Sequence, residues 1–231
     1  MSFRSFIPDK IQNKTLAKGL DLLRGIQRKF RIAWKSSNRH TYENRIAVDR
    51  LLGSFGEQQK SSPLLERQNS YKDIAYGKSD MAYAGCEVIA VYNAILSMGD
   101  RADLNTLIAD FEHDGMILSG RFGTAPYAIR DHLIRYGYDV KTEHNEDDYN
   151  ALAASSDVCI LMMYNDKRNI FNKIHTICIT REKNHYTAHN TYGDGRVVGP
   201  YASVTELISD LNGGFAKGIV LFGISRREAE A

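Results

Sequence analysis

The sequence predicts an α+β fold, a helical lobe packed against an antiparallel β-sheet, preceded by a basic helical extension. Three observations carry this expectation. Up to about Gly137, apolar residues recur at the three- and four-residue spacing of helices. After Ser156 they gather instead into short β-branched or aromatic runs bounded by turn residues. Helices precede strands rather than alternating with them, which separates the two halves and argues against parallel βαβ units. With 43% hydrophobic and 25% charged residues and only four prolines in 231, the chain can bury a core, so disordered and collagen-like classes are excluded.

The first 40 residues hold ten Lys/Arg against two acids, residues 41–80 six against six, and residues 81–231 fourteen against twenty. Within the basic part, Leu16, Leu20, Leu23, Ile26 or Gln27, Phe30 and Trp34 fall on one helical face, with basic side chains opposite. Such a helix either packs on the rest of the protein or, through residues 10–39, meets an anionic membrane surface or an acidic protein. Nucleic acid is not expected as a partner, because no recognition motif is present and the remaining chain is acidic. Gly53, Gly56, Ser61, Ser62 and Pro63 mark a break, dividing the chain into an extension (1–70) and a main domain (71–231).

In the main domain, residues 85–96 form a strongly apolar helix, with Cys86 in its first turn. Asp103 is the N-cap of a helix containing Leu104, Leu107, Ile108 and Phe111. Another runs from Pro126 to a stop at Gly137, and Asp147–Ala154 adds a short one. Strands are expected at Val158–Tyr164, Ile174–Thr180, His185–Thr191 and Gly218–Gly223. Ser203 and Glu206 form a capping box for a helix ending at Gly213-Gly214.

Three irregularly spaced cysteines make no disulfide framework, and neither CxxC nor a His/Cys cluster with zinc spacing occurs, so no metal or other cofactor is expected. The N-terminus has no apolar signal region, and the longest apolar runs are too short for a bilayer. A cytoplasmic protein is expected, with peripheral attachment to a membrane surface left open.

A helix N-terminus stabilises a thiolate through its partial positive charge and unpaired amides, which singles out Cys86. Gly85 leaves room beside the sulfur for a carbonyl. Cys159 and Cys178 lie inside apolar strands and read as small core residues. If the link Arg181–Asn184 pairs Thr180 with His185, the same register sets His175 opposite Asn190, with Cβ atoms ~4.5–5.5 Å apart. A carboxamide oxygen could then accept from one ring nitrogen and leave the other free to take a thiol proton. His185 and His189 fall on the other face of their strand and read as surface residues, as do His40, His113, His132 and His144 in their polar contexts.

Tyr76-Gly77, Met81-Ala82-Tyr83-Ala84-Gly85-Cys86, Gly123-Thr124-Ala125-Pro126, Ile129, Leu133, Gly137-Tyr138, His175 and Asn190 together resemble the papain-like cysteine peptidases. The similarity is to the C39-like (bacteriocin-leader-processing type) branch and spans about residues 71–225. It implies a helical lobe bearing the nucleophile Cys86 and a sheet bearing the general base His175 and the orienting Asn190. The implied activity is hydrolysis of a peptide or isopeptide bond through a thioester, with a peptide or protein substrate. Acyl transfer by the same triad, or peptide binding with weak catalysis, are the alternatives. Where the family places an oxyanion-binding Gln six residues before the cysteine, this chain has Asp80, which as a carboxylate only accepts hydrogen bonds. Ser79, Asn93 and the Cys86 amide are other candidate donors. Glu87 replaces the glycine usual after the cysteine. Residues 121–124 and 164–166 are candidate cleft walls.

Overall fold

A computed structural model describes residues 9–29, 40–54, 64–121, 123–168, 174–191 and 196–227. Its centre is a six-stranded antiparallel sheet in the order β3-β8-β4-β5-β6-β7. The strands are β3 (Tyr138–Glu143), β4 (Val158–Tyr164), β5 (Ile174–Glu182), β6 (His185–His189), β7 (Val198–Tyr201) and β8 (Lys217–Arg226). A two-residue ribbon, β1 (Ala75–Tyr76) with β2 (Ser79–Asp80), stands apart. Helices come first in the chain and strands second, as the sequence predicts, although α7 (Tyr149–Ala154) and α8 (Val204–Asp210) cover the second face of the sheet.

The alternation of side chains along a strand sorts the interior into two layers. Val158, Ile160 and Met162 of β4 and Cys178 of β5 face α4 (Cys86–Ser97), α5 (Leu104–Asp114) and α6 (Pro126–Arg135). Cys159, Leu161, Met163, Ile177 and Ile179 face α7 and α8. Strand β4 is buried on both sides, which is why it reads as an unbroken apolar run rather than an alternating one. Caps act where expected: the Asp103 carboxylate accepts from the Thr106 amide at 2.7 Å, and Ser203 Oγ from the Glu206 amide at 3.1 Å. Strands β3 and β7 were not anticipated, since β3 alternates charge with Tyr138, Val140 and Thr142 and β7 contains Gly199-Pro200.

Helix α1 (Asp9–Lys29) packs on α6 and β8, and of the predicted stripe Leu16, Leu20 and Gln27 face the body while Leu23 and Ile26 turn outward. Asn13, Ala17, Arg24 and Gln27 are buried, whereas Leu23 and Ile26 are each 44% exposed. Polar docking sets this rotation. Asn13 Nδ2 donates to the Gly218 carbonyl at 3.1 Å, and Arg24 pairs with Asp131 at 2.7 Å. Gln27 donates to the Met116 carbonyl and accepts from the Ser119 amide, both at 3.1 Å. Phe30 and Trp34 lie outside the described residues. Helix α2 (Thr41–Gly53) packs on α5, and Asn44 binds both main-chain groups of Ala75.

Residues 64–70 are held to the body by Asn93 of α4, which donates to the Leu65 carbonyl at 2.9 Å and accepts from its amide at 2.8 Å. Asn93→Ala is expected to leave both Leu65 groups unpaired and cost about 2–4 kcal/mol in urea denaturation. No helix of the described residues is long and apolar enough to cross a membrane.

Candidate functional site

Cys86 is the first residue of α4, with Gly85 as N-cap and a mostly apolar body behind it. Its position at the helix mouth is as predicted, but its surroundings keep it protonated. Cys86 is only 6% exposed, and its S–H donates to Glu87 Oε2 at 3.2 Å. Burial pushes the thiol well above its ordinary value, and the neighbouring Glu87 carboxylate pushes it further, while the amide and hydroxyl of Thr176 offset part of the rise. Gly85 has a packing role: a Cβ there would lie 2.6 Å from Met81 Sδ and 2.7 Å from the Met81 carbonyl oxygen.

Glu87 is itself 4% exposed. Burial raises its carboxyl to about 7, moderated by its own amide, the Cys86 thiol and the Thr124 amide. Gly123 gives it space, since a Cβ there would sit 3.4 Å from Oε1. Behind this pair, the Tyr76 and Thr124 hydroxyls are 2.5 Å apart. Glu112 accepts from the Gly77 amide at 2.7 Å, and burial raises it also to about 7. Thr176 is fully buried and borders both the thiol and the Glu87 carboxyl.

The structure brings His175 and Asn190 together, though by different atoms from those expected. His175 Nε2 lies 2.6 Å from the main-chain oxygen of Asn190. A carbonyl only accepts, so Nε2 carries the proton and Nδ1 is left as the acceptor. Burial pulls the His175 pKa below its ordinary value, and this hydrogen bond offsets part of the fall. The carboxamide of Asn190 turns away and donates from Nδ2 to Gln68 Oε1 at 2.9 Å, while its Oδ1 is buried without a partner.

The cause is a register that differs from the predicted one. Strands β5 and β6 are joined by two residues, Lys183 and Asn184, both left-handed, which pair Glu182 with His185 and Thr180 with Thr187. A shift of two preserves faces, but it carries Asn190 past the last paired residue, where it too adopts a left-handed backbone.

His175 and Cys86 make no hydrogen bond to each other. Strand alternation explains this. Thr176 pairs with Met162, on the α4 side, whereas His175 pairs with Met163, on the α7–α8 side. The residue of β5 that reaches the sulfur is therefore Thr176.

Of the candidate oxyanion groups, Asp80 caps the short helix α3 (Met81–Ala84) by accepting from the Tyr83 amide at 2.8 Å. Asn93 is committed to Leu65, and Ser79 sits half-buried in β2. Gly123 and Thr124 border the buried Glu87, while Phe122 lies outside the described residues. Asn165 and Asp166 are engaged with Asn212 and Arg168, away from the thiol.

Three histidines expected at the surface are not there. His189 Nδ1 is 2.6 Å from Glu66 Oε1 and Nε2 is 2.9 Å from Thr180 Oγ1. His132 is fully buried beside Phe111, 3.1 Å from Asp114, with burial and Arg135 lowering it to about 4. His144 is buried between the Ile219 carbonyl and Tyr127. Each sits in a sequence context that looks polar but belongs to a half-buried element. Cys159 and Cys178 are buried in the core, where burial pushes Cys159 up to about 12 and Cys178 higher still.

Sequence reasoning missed Glu66 and Gln68. Glu66 Oε2 accepts from the Asn190 amide at 2.6 Å, and Gln68 Nε2 donates to the Ala82 carbonyl at 3.1 Å. Gln68 thus bridges the turn before Cys86 and the carboxamide beside His175. No periodicity marks either residue. Thr176 carried a usable signal, as a polar residue at a helix-facing position of a buried strand.

Among the described residues no group of three or more His, Cys, Asp or Glu side chains is arranged to hold a metal ion. No protein-family model matches the chain, and no curated protein matches it. Among solved structures, one it is similar to is the peptidase domain of Streptococcus ComA, a bi-functional ABC transporter involved in a quorum-sensing pathway. That likeness has a TM-score of 0.41 at 10% sequence identity, covering 62% of this chain and 91% of that one.

Proposed function

We propose that the chain is a thiol-dependent hydrolase of papain-like, C39-like type, acting on a peptide or isopeptide bond. Cys86 is the nucleophile, His175 the base and acid, and Asn190 the residue that orients it. The observation that carries this reading is Cys86 itself, at the mouth of an apolar helix packed on β5. His175 is fixed through Nε2 on the Asn190 main chain at 2.6 Å, on the side of β5 opposite the Thr176 that borders the sulfur. In the reaction, Nδ1 takes the thiol proton and the thiolate attacks the carbonyl carbon. The tetrahedral oxyanion is met by the Cys86 amide at the helix mouth, and the imidazolium protonates the departing amine. Water, deprotonated by the same ring, then releases the acid from the thioester. The described arrangement is the resting one, with the proton on sulfur against Glu87 and His175 on the other side of β5, so catalysis requires the start of β5 to rearrange and bring the ring to the sulfur.

A second reading, a peptide-binding module with weak catalysis, is favoured by the buried, protonated sulfur itself. Iodoacetamide separates the two. The hydrolase predicts that Cys86 alone is labelled in the folded protein, and that His175→Ala slows its labelling about tenfold or more while leaving the circular dichroism unchanged. If Cys86 is as inert as Cys159 and Cys178 until the protein unfolds, the second reading holds.

A further inference from the structure

We infer that the outward face of α1 is a docking surface for an anionic lipid bilayer. This inference is independent of the chemistry at Cys86. One face of the helix is fully engaged by the body through Asn13, Arg24 and Gln27. The opposite face is bare. Leu22 is 66% exposed and Leu23 and Ile26 are 44% exposed, and a Cβ placed on Gly19 or Gly25 would meet nothing within 4 Å. Leu118, next to the Ser119 whose amide donates to Gln27, is also 51% exposed.

Beside the apolar row runs a basic one. Lys14, Lys18 and Lys29 share the exposed arc with Leu22, and Arg28 lies at its edge. The one acid on the described outer side chains of α1, Asp21, is paired with Arg24 at 2.8 Å. A bilayer with acidic headgroups offers both complements at once, negative charge at the level of the lysines and hydrocarbon just below for the leucines. Nucleic acid offers only the first. The charge distribution fits, since the basic excess is concentrated in residues 1–40 and the remaining chain, net acidic after residue 80, is repelled from the same surface.

The test is co-sedimentation of the full chain with vesicles of phosphatidylcholine alone or containing about 30% phosphatidylserine. Binding is expected only with the second, falling about tenfold between 0.1 and 0.5 M NaCl as the charges are screened. Two variants probe the two halves of the surface: Leu22→Ser with Leu23→Ser and Ile26→Ser, and Lys14→Glu with Lys18→Glu. Each should lose about tenfold in binding with unchanged circular dichroism, because these side chains lie on the exposed side of the helix. Equal sedimentation with both vesicles, or none with either, overturns the inference. So does parental binding to the phosphatidylserine vesicles by both variants, which would place the contact elsewhere on the chain.

Discussion

Glu87→Gln is expected to stabilise the folded protein by on the order of 3 kcal/mol above pH 7, an unusual sign for replacing a charged residue. The reason is the buried carboxyl raised to about 7, against about 4.3 in an unfolded chain. Between those two values the unfolded state releases its proton while the folded state keeps it, so stability falls as pH rises. The penalty is absent below about pH 4 and complete above about pH 7. Urea denaturation at pH 5 and pH 8 should show the variant and the parent diverging with pH, and a gap of equal size at both would clear the Glu87 charge of responsibility. Glu112, raised for the same reason, leaves a residual slope in the variant. His132 opposes both: held neutral and lowered to about 4, it costs stability as pH falls through 6.5.

The same substitution should quicken alkylation of Cys86 by roughly three- to tenfold at pH 8. The carboxylate is the second cause of the raised thiol, after burial, and a neutral amide removes it. The gain is smaller than the gain in thiolate, because a less basic thiolate is a weaker nucleophile. Tyr76, raised chiefly by burial and also by Glu87, is relieved in the same direction by the substitution. A slower reaction in the variant would mean that Glu87 accepts the proton productively and does not merely hold it back.

Gly77→Ala is expected to lose about 3–5 kcal/mol, close to the limit for a single methyl group. The backbone there has φ +62°, and an added Cβ would lie 2.4 Å from the Ser119 carbonyl oxygen and 2.6 Å from Met116 Sδ. The carbonyl cannot retreat freely, because it accepts from the Lys78 amide at 2.9 Å. Gly137→Ala is the control: φ is +95° but the space is open, so only the left-handed strain remains, about 1 kcal/mol. If the two variants melt alike, close approach is not what demands glycine at 77.

Much of the fold was legible because it depends on local pattern. The run Val158–Tyr164, the Asp103 and Ser203 caps and the helix from Cys86 each announce themselves within a few residues. The site was legible in its ingredients but not in its assembly. The turn of Lys183 and Asn184, two left-handed residues without glycine, lacks the usual hairpin signature, so the register was misjudged by two and the Asn190 carboxamide was aimed at the wrong partner. That Cys86 meets Thr176 and not His175 depends on which side of β5 the helix covers, a long-range choice. On α1 the buried face includes Leu16, Leu20 and Gln27 of the predicted stripe but not Leu23 and Ile26, for a related reason. Hydrogen bonds from Asn13, Arg24 and Gln27 outweigh the leucine periodicity, and their partners lie at least 89 residues away.

The outermost strands of the sheet restrict how an extended ligand could approach. Along one rim, β7 is four residues long and Pro200 contributes no main-chain donor. Along the other, β3 presents exposed Asp139 and Lys141. A peptide seeking to lengthen the ladder finds a missing rung on one side and a charged fringe on the other, so visitors are steered toward the strand ends.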